Sequence, residues 1–198
     1  MQRAAFFDLD GTLIKEKSMI SFVNYLANHH PGTVNGLNEF IDSLQEHMNR
    51  DVIRVNINRE YFRIFSGITI ESMQRLVSLW AEKFLSGKDI FNDHIVTKLK
   101  QHKANNDKIV IVSGSFAILA KQATITLPID DYLCTQPEVV SGRFTGEVVG
   151  PSCIGGGKRA YMLEYALDEG IDLSRSSAYG DDPTDQHMLD TVANGVFV

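Results

Sequence analysis

Two carboxylates, Asp8 and Asp10, stand two residues apart at the end of the run Ala4-Ala5-Phe6-Phe7 and directly before Gly11-Thr12. The run is short, uncharged and half aromatic, which predicts a buried strand over residues 4–7. Paired carboxylates at a strand end repel, and a divalent cation between them relieves that repulsion. A carboxylate can also attack phosphorus, as in aspartyl-phosphate chemistry. An acidic strand-to-turn junction explains a bare Asp-x-Asp-Gly as well, so the pair alone decides nothing.

Three other groups have side chains suited to the same chemistry. Ile109-Val110-Ile111-Val112 reads as a buried parallel strand and runs into Ser113-Gly114-Ser115. A hydroxyl followed by glycine at a helix start offers free N–H groups to an anion, although a simple N-cap accounts for it too. Gly155-Gly156-Gly157-Lys158 puts a lysine at a helix opening, against the dipole, where an anionic partner would stabilise it. The alternative is a solvated lysine on a flexible loop. A short strand at 177–179 runs into Gly180-Asp181-Asp182-Pro183-Thr184-Asp185. One of those acids can cap the helix that follows, but not all three.

The elements that must position these groups fall into two kinds. Residues 15–92 read as almost wholly helical. Met19, Phe22, Val23 and Leu26 keep helical spacing, with Ser18 placed to cap the start and Pro31-Gly32 to stop it. Phe40, Ile41 and Leu44 continue the pattern. Met73, Leu76, Val77, Trp80 and Phe84 form a stripe that starts near Thr69 and Glu71 and ends near Gly87. From residue 93 strands and helices alternate: a helix carrying Ile95, Val96 and Leu99, the strand 109–112, a helix around 116–125 and a hairpin over 139–149. A helix over 158–169, the strand 177–179, a helix over 184–193 and a strand over 195–198 follow. That alternation predicts a parallel sheet with helices on both faces. Residues 1–14 add a strand to it, so 15–92 is an insertion. Ligands bind such sheets beyond the carboxyl ends of the strands, where all four groups fall.

Composition bounds the rest. The chain has 198 residues, 43% hydrophobic and 22% charged, enough for one domain with an insertion. Its net charge of −6 speaks against a nucleic-acid binder. Residues 15–92 hold nine basic and nine acidic residues, so the remainder carries the whole excess of acid. Cys134 and Cys153 have no metal-ligand or disulfide-scaffold spacing and read as structural. There is no signal-like start and no stretch of about 20 apolar residues to span a bilayer. A cytoplasmic protein is expected.

Taken in order, the four groups resemble the motifs of the haloacid dehalogenase-like superfamily. Asp8-Leu9-Asp10-Gly11-Thr12 is similar to its first motif, Ser113 to the second, Lys158 to the third and Gly180–Asp185 to the fourth. The helical insertion after the first motif resembles a C1-type cap. With Ser-Gly after the second motif and the hairpin Gly142-Arg143-Phe144-Thr145-Gly146, the likeness extends to the phosphoserine-phosphatase-like branch, subfamily IB. The resemblance implies a Rossmann-like α/β core of residues 1–14 and 93–198, with a helical cap of residues 15–92.

It also implies a Mg²⁺-dependent phosphomonoesterase that acts on a small phosphate ester. Asp8 would be the nucleophile, and Asp10 the acid and then the base. Asp8, the Asp10 carbonyl and Asp181 would hold Mg²⁺. Ser113 and Lys158 would bind the phosphoryl group, helped by the amides of Leu9, Asp10 and Gly114. Asp185 would orient Lys158 or metal-bound water, and two roles are open for Asp182: an acid near the metal or an N-cap. Phosphotransfer to another alcohol uses the same groups. A non-catalytic interaction protein on this fold is the third reading, but such proteins tend to lose acids that this chain keeps.

The chain departs from the phosphoserine type in places. Where that branch has a glutamate for the substrate amine, seven residues after the second acid, Lys17 stands here with Glu16 beside it. Thr184 replaces a frequent Asn. Glu16, Lys17 and the pair Arg59 and Arg63, four apart on one helix face, are the candidate cap contacts. His29, His30 and His47 lack metal-ligand spacing and read as surface residues. Relatives continue beyond the strand that ends at Val198, so any missing element is expected at the sheet edge, clear of the site.

Overall fold

The computed structural model describes residues 2–30, 32, 36–47, 54–86 and 89–198, with residues 45–47 described by their backbone alone. Strand β1 (Ala4–Phe7) is followed by four helices: α1 (Ser18–His29), α2 (Leu37–His47), α3 (Arg54–Arg63) and α4 (Ile70–Leu85). The chain then runs through α5 (Asp93–Ala104), β2 (Lys108–Ser113), α6 (Ala117–Ala123), β3 (Asp131–Cys134) and the hairpin of β4 (Gln136–Val140) and β5 (Arg143–Val149). It ends with α7 (Gly156–Glu169), β6 (Ser177–Gly180), α8 (Gln186–Leu189) and β7 (Asn194–Phe197). Among the described residues no helix is long and apolar enough to cross a membrane.

Five strands form one sheet in the order β3-β2-β1-β6-β7, and every pairing in it is parallel. The chain builds outward from β1 on one side, then returns to build outward on the other. The order therefore reverses between β1 and β6, which places a crevice at their carboxyl ends. Alternate side chains enter opposite cores, as strand periodicity requires. Ala5, Phe7, Ile109 and Ile111 pack with residues of α1–α6. Ala4, Phe6, Val110 and Val112 pack with Met162, Ala166, Met188 and Leu189 of α7 and α8. Both faces are covered, which is why these strands read as unbroken apolar runs.

The segment α1–α4 joins the first core through aromatic side chains. Phe116, 1% exposed just before α6, meets Phe22, Tyr61, Phe62 and Phe65 with ring centroids 6.0 to 6.5 Å apart. The hairpin adds backbone ties, since Gly67 N–H donates to Phe144 O at 2.7 Å and Phe144 N–H to Ile68 O at 2.9 Å. Its turn, Ser141-Gly142, has φ of 51° and 76°, the type I′ geometry that suits a two-residue hairpin.

Two local expectations need correction, and the start of α4 near Thr69 is as expected. Lys17, not Ser18, is the N-cap of α1. The Ser18 Oγ finds no partner, and its backbone N–H is held instead by Asp10 Oδ1 at 3.0 Å. The helix expected over 184–193 is a 3₁₀ turn, Pro183–Asp185, followed by the four-residue α8. The chain leaves it early because Ala193 and Asn194 N–H groups bond back to Leu173 and Ser176 and lead into β7. Helix α4 is capped by Thr69 through Ser72 N–H and runs to Leu85, with Ser86 as its C-cap. The expected stops at Pro31 and Gly87, and the His47 side chain, lie outside the described residues.

Replacing Phe116 with alanine empties the contact between the helical segment and the sheet. Phe116→Ala is expected to lower stability by about 3–5 kcal/mol, read as a fall in the urea midpoint at unchanged m.

Candidate active site

Parallel register carries the ends of β1, β2 and β6 to one edge, with Phe7 level with Ile111 and Tyr179. Asp8 continues β1 by one residue, its N–H donating to Tyr179 O at 2.9 Å. Ser113 closes β2, and Asp181 follows β6. Lys158 lies in the first turn of α7. At this edge lies a cavity of about 140 Å³ lined by Asp8, Asp10, Ser113, Gly114, Lys158 and Asp185, and on its other wall by Lys17, Met19, Arg54, Asn58, Asp182 and Thr184.

Lys158 is the electrostatic centre. It is 3% exposed, and its Nζ lies 2.5 Å from Asp8 Oδ1 and 2.5 Å from Asp185 Oδ1. Burial alone would push the ammonium toward its neutral form, but the two carboxylates more than offset this and raise its pKa. Burial also lifts Asp8, to about 7; Lys158 pulls it down, while Asp185 adds to the rise. Asp10 is raised too, chiefly by burial, against the opposing hydrogen bond from the Ser18 N–H.

Asp181 is fixed by its neighbours. Thr12 Oγ1, fully buried, donates to Asp181 Oδ1 at 2.9 Å. Gly11 has φ of 102°, and a Cβ there would stand 2.2 Å from Asp181 Oδ2, so the turn after β1 accepts only glycine. Asp8, Asp181 and Asp185 each bring a carboxylate oxygen within 4.8 Å of the others. Lys17 Nζ donates to the Asp10 carbonyl and lies 3.5 Å from Asp181 Oδ2. Among the described residues, the cations paired with or acting on Asp8, Asp10, Asp181 and Asp185 are Lys17 and Lys158. Fully ionised, that is four negative charges against two positive. The excess equals the charge of one divalent cation, and hard oxygen donors suit Mg²⁺.

The described residues include every candidate site residue singled out from the sequence. Leu9 is fully buried, and its carbonyl accepts from Ile14 N–H at 2.9 Å. Asp182 serves as an N-cap: its Oδ1 accepts from Thr184 N–H at 2.9 Å, and it forms a reciprocal capping box with Asp185. Its other oxygen pairs with Arg54 at 2.6 Å. The Thr184 hydrogen bonds and the Arg54 charge hold Asp182 low despite its partial burial. Glu16 is exposed and does not line the cavity. Arg59 and Arg63 are also exposed and off the cavity, with Arg63 3.8 Å from Glu147. The cavity-facing pair of α3 is instead Arg54 and Asn58. Their signal is a stripe, 54, 58, 61 and 62, on which two polar residues precede buried Tyr61 and Phe62. Both cysteines are free and buried, and burial lifts the Cys153 thiol to about 12, the state of an inert structural thiol.

Comparison with known families settles what this arrangement is part of. The family model described as haloacid dehalogenase-like hydrolase matches residues 5–190. The chain belongs to the haloacid dehalogenase-like hydrolase family. Among curated members it is 28% identical over 98% of its length to phosphoserine phosphatase SerB1 of Mycobacterium tuberculosis (strain ATCC 25618 / H37Rv), and it spans 64% of that protein. Among solved structures it resembles a Bordetella pertussis Tohama I protein, with a TM-score of 0.82 and 22% identity over 98% of this chain and 88% of that one. It also resembles a phosphoserine phosphatase solved as a phospho-aspartyl intermediate analogue, with a TM-score of 0.66 and 19% identity over 97% of this chain and 84% of that one. At these identities the structural likenesses establish the fold of the family and no more.

A methyl group at Gly11 would strike the Asp181 carboxylate and strain the turn without removing any acid. Gly11→Ala is expected to lose about 1–3 kcal/mol of stability, read as a fall in the urea midpoint at unchanged m.

Proposed function

We propose that this chain is a Mg²⁺-dependent phosphomonoesterase that hydrolyses a small phosphorylated metabolite in the cytoplasm through an aspartyl-phosphate on Asp8. The observation that carries the reading is the buried Asp8–Lys158–Asp185 chain at the strand ends, with Asp181 and Ser113 beside it. A nucleophilic carboxylate must approach a dianionic phosphoryl group, and that approach needs positive charge in place beforehand. Lys158 supplies it, and Asp185 keeps Lys158 charged and aimed. Residues 1–14 and 93–198 make the core in this reading, and residues 15–92 the cap over it.

Asp8 and Asp181, with the Asp10 carbonyl, would hold the metal, and Asp185 stands close enough to share in it. Bound there, Mg²⁺ would neutralise charge on Asp8 and on the phosphoryl oxygens. The remaining work falls to side chains. Asp8 attacks phosphorus as the bond to the leaving oxygen breaks. Asp10, with a pKa raised by burial, gives its proton to that oxygen, then takes one from the water that cleaves the acyl phosphate. Its position at the first turn of α1, tied to Ser18 N–H, holds the carboxyl toward the cavity. Ser113 and the amides near Leu9 and Gly114 hold the phosphoryl oxygens.

The cavity of about 140 Å³ beside Asp8 and Lys158 takes a phosphoryl group, and a small phosphate ester is the substrate class read here. SerB1 is named for phosphoserine, but here Lys17 lines the cavity. An ammonium at that wall repels the amine of an amino-acid substrate, so the leaving group is read as one that places no cation there.

A panel of small phosphomonoesters with Mg²⁺ is expected to show phosphate release, abolished by chelation and restored by added Mg²⁺. Asp8→Asn should keep the fold and lose at least about 10³-fold in kcat. Near-parental turnover by that variant would overturn the nucleophile assignment.

A further inference from the structure

Asn58 lies mid-way along α3, 3% exposed, and reaches out of the cap to the turn after β2. Its Nδ2 donates to the Gly114 carbonyl at 2.8 Å. That carbonyl shares a peptide unit with the Ser115 N–H, and in a planar trans peptide the two point in opposite directions. The Ser115 N–H donates to Ser113 Oγ at 3.1 Å. One rigid plane therefore has the Asn58 amide at one end and the Ser113 hydroxyl oxygen at the other. With its oxygen engaged by Ser115, the Ser113 hydroxyl keeps its own proton for a different acceptor. Ser113 and Gly114 both line the cavity.

The surroundings leave this plane little other support. Thr135 N–H donates to the next carbonyl, that of Ser115, at 3.0 Å, and Thr135 Oγ1 reaches Asn58 Oδ1 at 3.5 Å. The Ser115 hydroxyl is buried without a partner. On the Gly114 carbonyl the one side-chain hydrogen bond among the described residues is the Asn58 amide. An aspartate at 58 would set a carboxylate oxygen against that carbonyl and turn the plane. A leucine would take the donor away from this part-buried carbonyl and leave the plane without its side-chain tie.

We propose that Asn58 is a positioning residue: it fixes the Gly114–Ser115 peptide plane and, through that plane, aims the Ser113 hydroxyl at the phosphoryl group. This rests on the phosphatase reading and adds that a cap residue sets the geometry of a core phosphate-binding group. It acts through Ser113, so its effect must vanish when Ser113 has no hydroxyl.

A double-mutant cycle on the full chain tests this, with p-nitrophenyl phosphate as substrate and inorganic phosphate as inhibitor at saturating Mg²⁺. Asn58→Leu alone is expected to lower kcat/KM by about 10-fold and to weaken phosphate inhibition by a similar factor. In a Ser113→Ala background the same change should move either quantity less than about twofold. An equal loss in both backgrounds would show that Asn58 serves the fold in general and overturn the proposal. If circular dichroism shows that Asn58→Leu is unfolded, the near-isosteric Asn58→Asp runs the same cycle. Hydrolysis with an additive cycle removes the role of Asn58 alone. A parent chain that neither hydrolyses the ester nor binds inorganic phosphate by calorimetry removes both this proposal and the phosphatase reading.

Discussion

A lysine ammonium sealed between two carboxylates organises this molecule. Lys158, Asp8 and Asp185 are all nearly inaccessible, and none could be buried charged without the other two. Removing one partner of such a pair leaves an uncompensated charge that costs about 3–5 kcal/mol. The cluster also joins distant parts of the chain, since Lys158 and Asp8 are 150 residues apart in sequence. The ends of β1 and β6 and the start of α7 must therefore come together for the charges to balance. Folding of the parallel sheet and assembly of the site are one event.

The cluster is still not neutral, and this excess distinguishes a site from a structural ion network. Thr12 and Gly11 spend a buried hydroxyl and a glycine-only backbone on holding Asp181 near the other acids. A fold selected for stability alone would separate those carboxylates. Burial raises Asp8 and Asp10, so the site resists carrying its full negative charge. Lys17, which touches the Asp10 carbonyl and faces Asp181, offsets part of that charge from the chain itself.

The core was legible in the sequence because its signals are local. Four uncharged residues before Asp8, four β-branched residues before Ser113, and glycines at fixed offsets from acids or a lysine each fit within one element and its turn. The cap contacts were not, because they depend on helix phase. Arg59 and Arg63 have the right spacing on α3 but the wrong azimuth: each residue turns a helix by about 100°, so Arg59 faces solvent where Asn58 faces the cavity. For Asp182 the N-cap was one of two roles read from the sequence, but its pairing with Arg54 was out of reach. Its capping of Thr184 is local, but its partner Arg54 lies in the helical segment, and no local pattern pairs them. The length of α8 failed for a similar reason, since pairing with Leu173 and Ser176 ends it.

Helix α3 does more than pack against the core. Its buried stripe is apolar at Tyr61 and Phe62, which fasten it to Phe116 beside the turn after β2. One turn earlier the same stripe becomes polar, and the two polar side chains reach different core loops: Asn58 to the turn after β2, Arg54 to the acidic loop after β6. A polar residue on a packing stripe weakens packing unless its partner is worth more than the apolar contact it displaces. Here both partners belong to loops that line the cavity. The aromatic end of α3 gives the binding energy, and the polar end converts it into geometry, so docking of the helix and alignment of the loops cannot be separated.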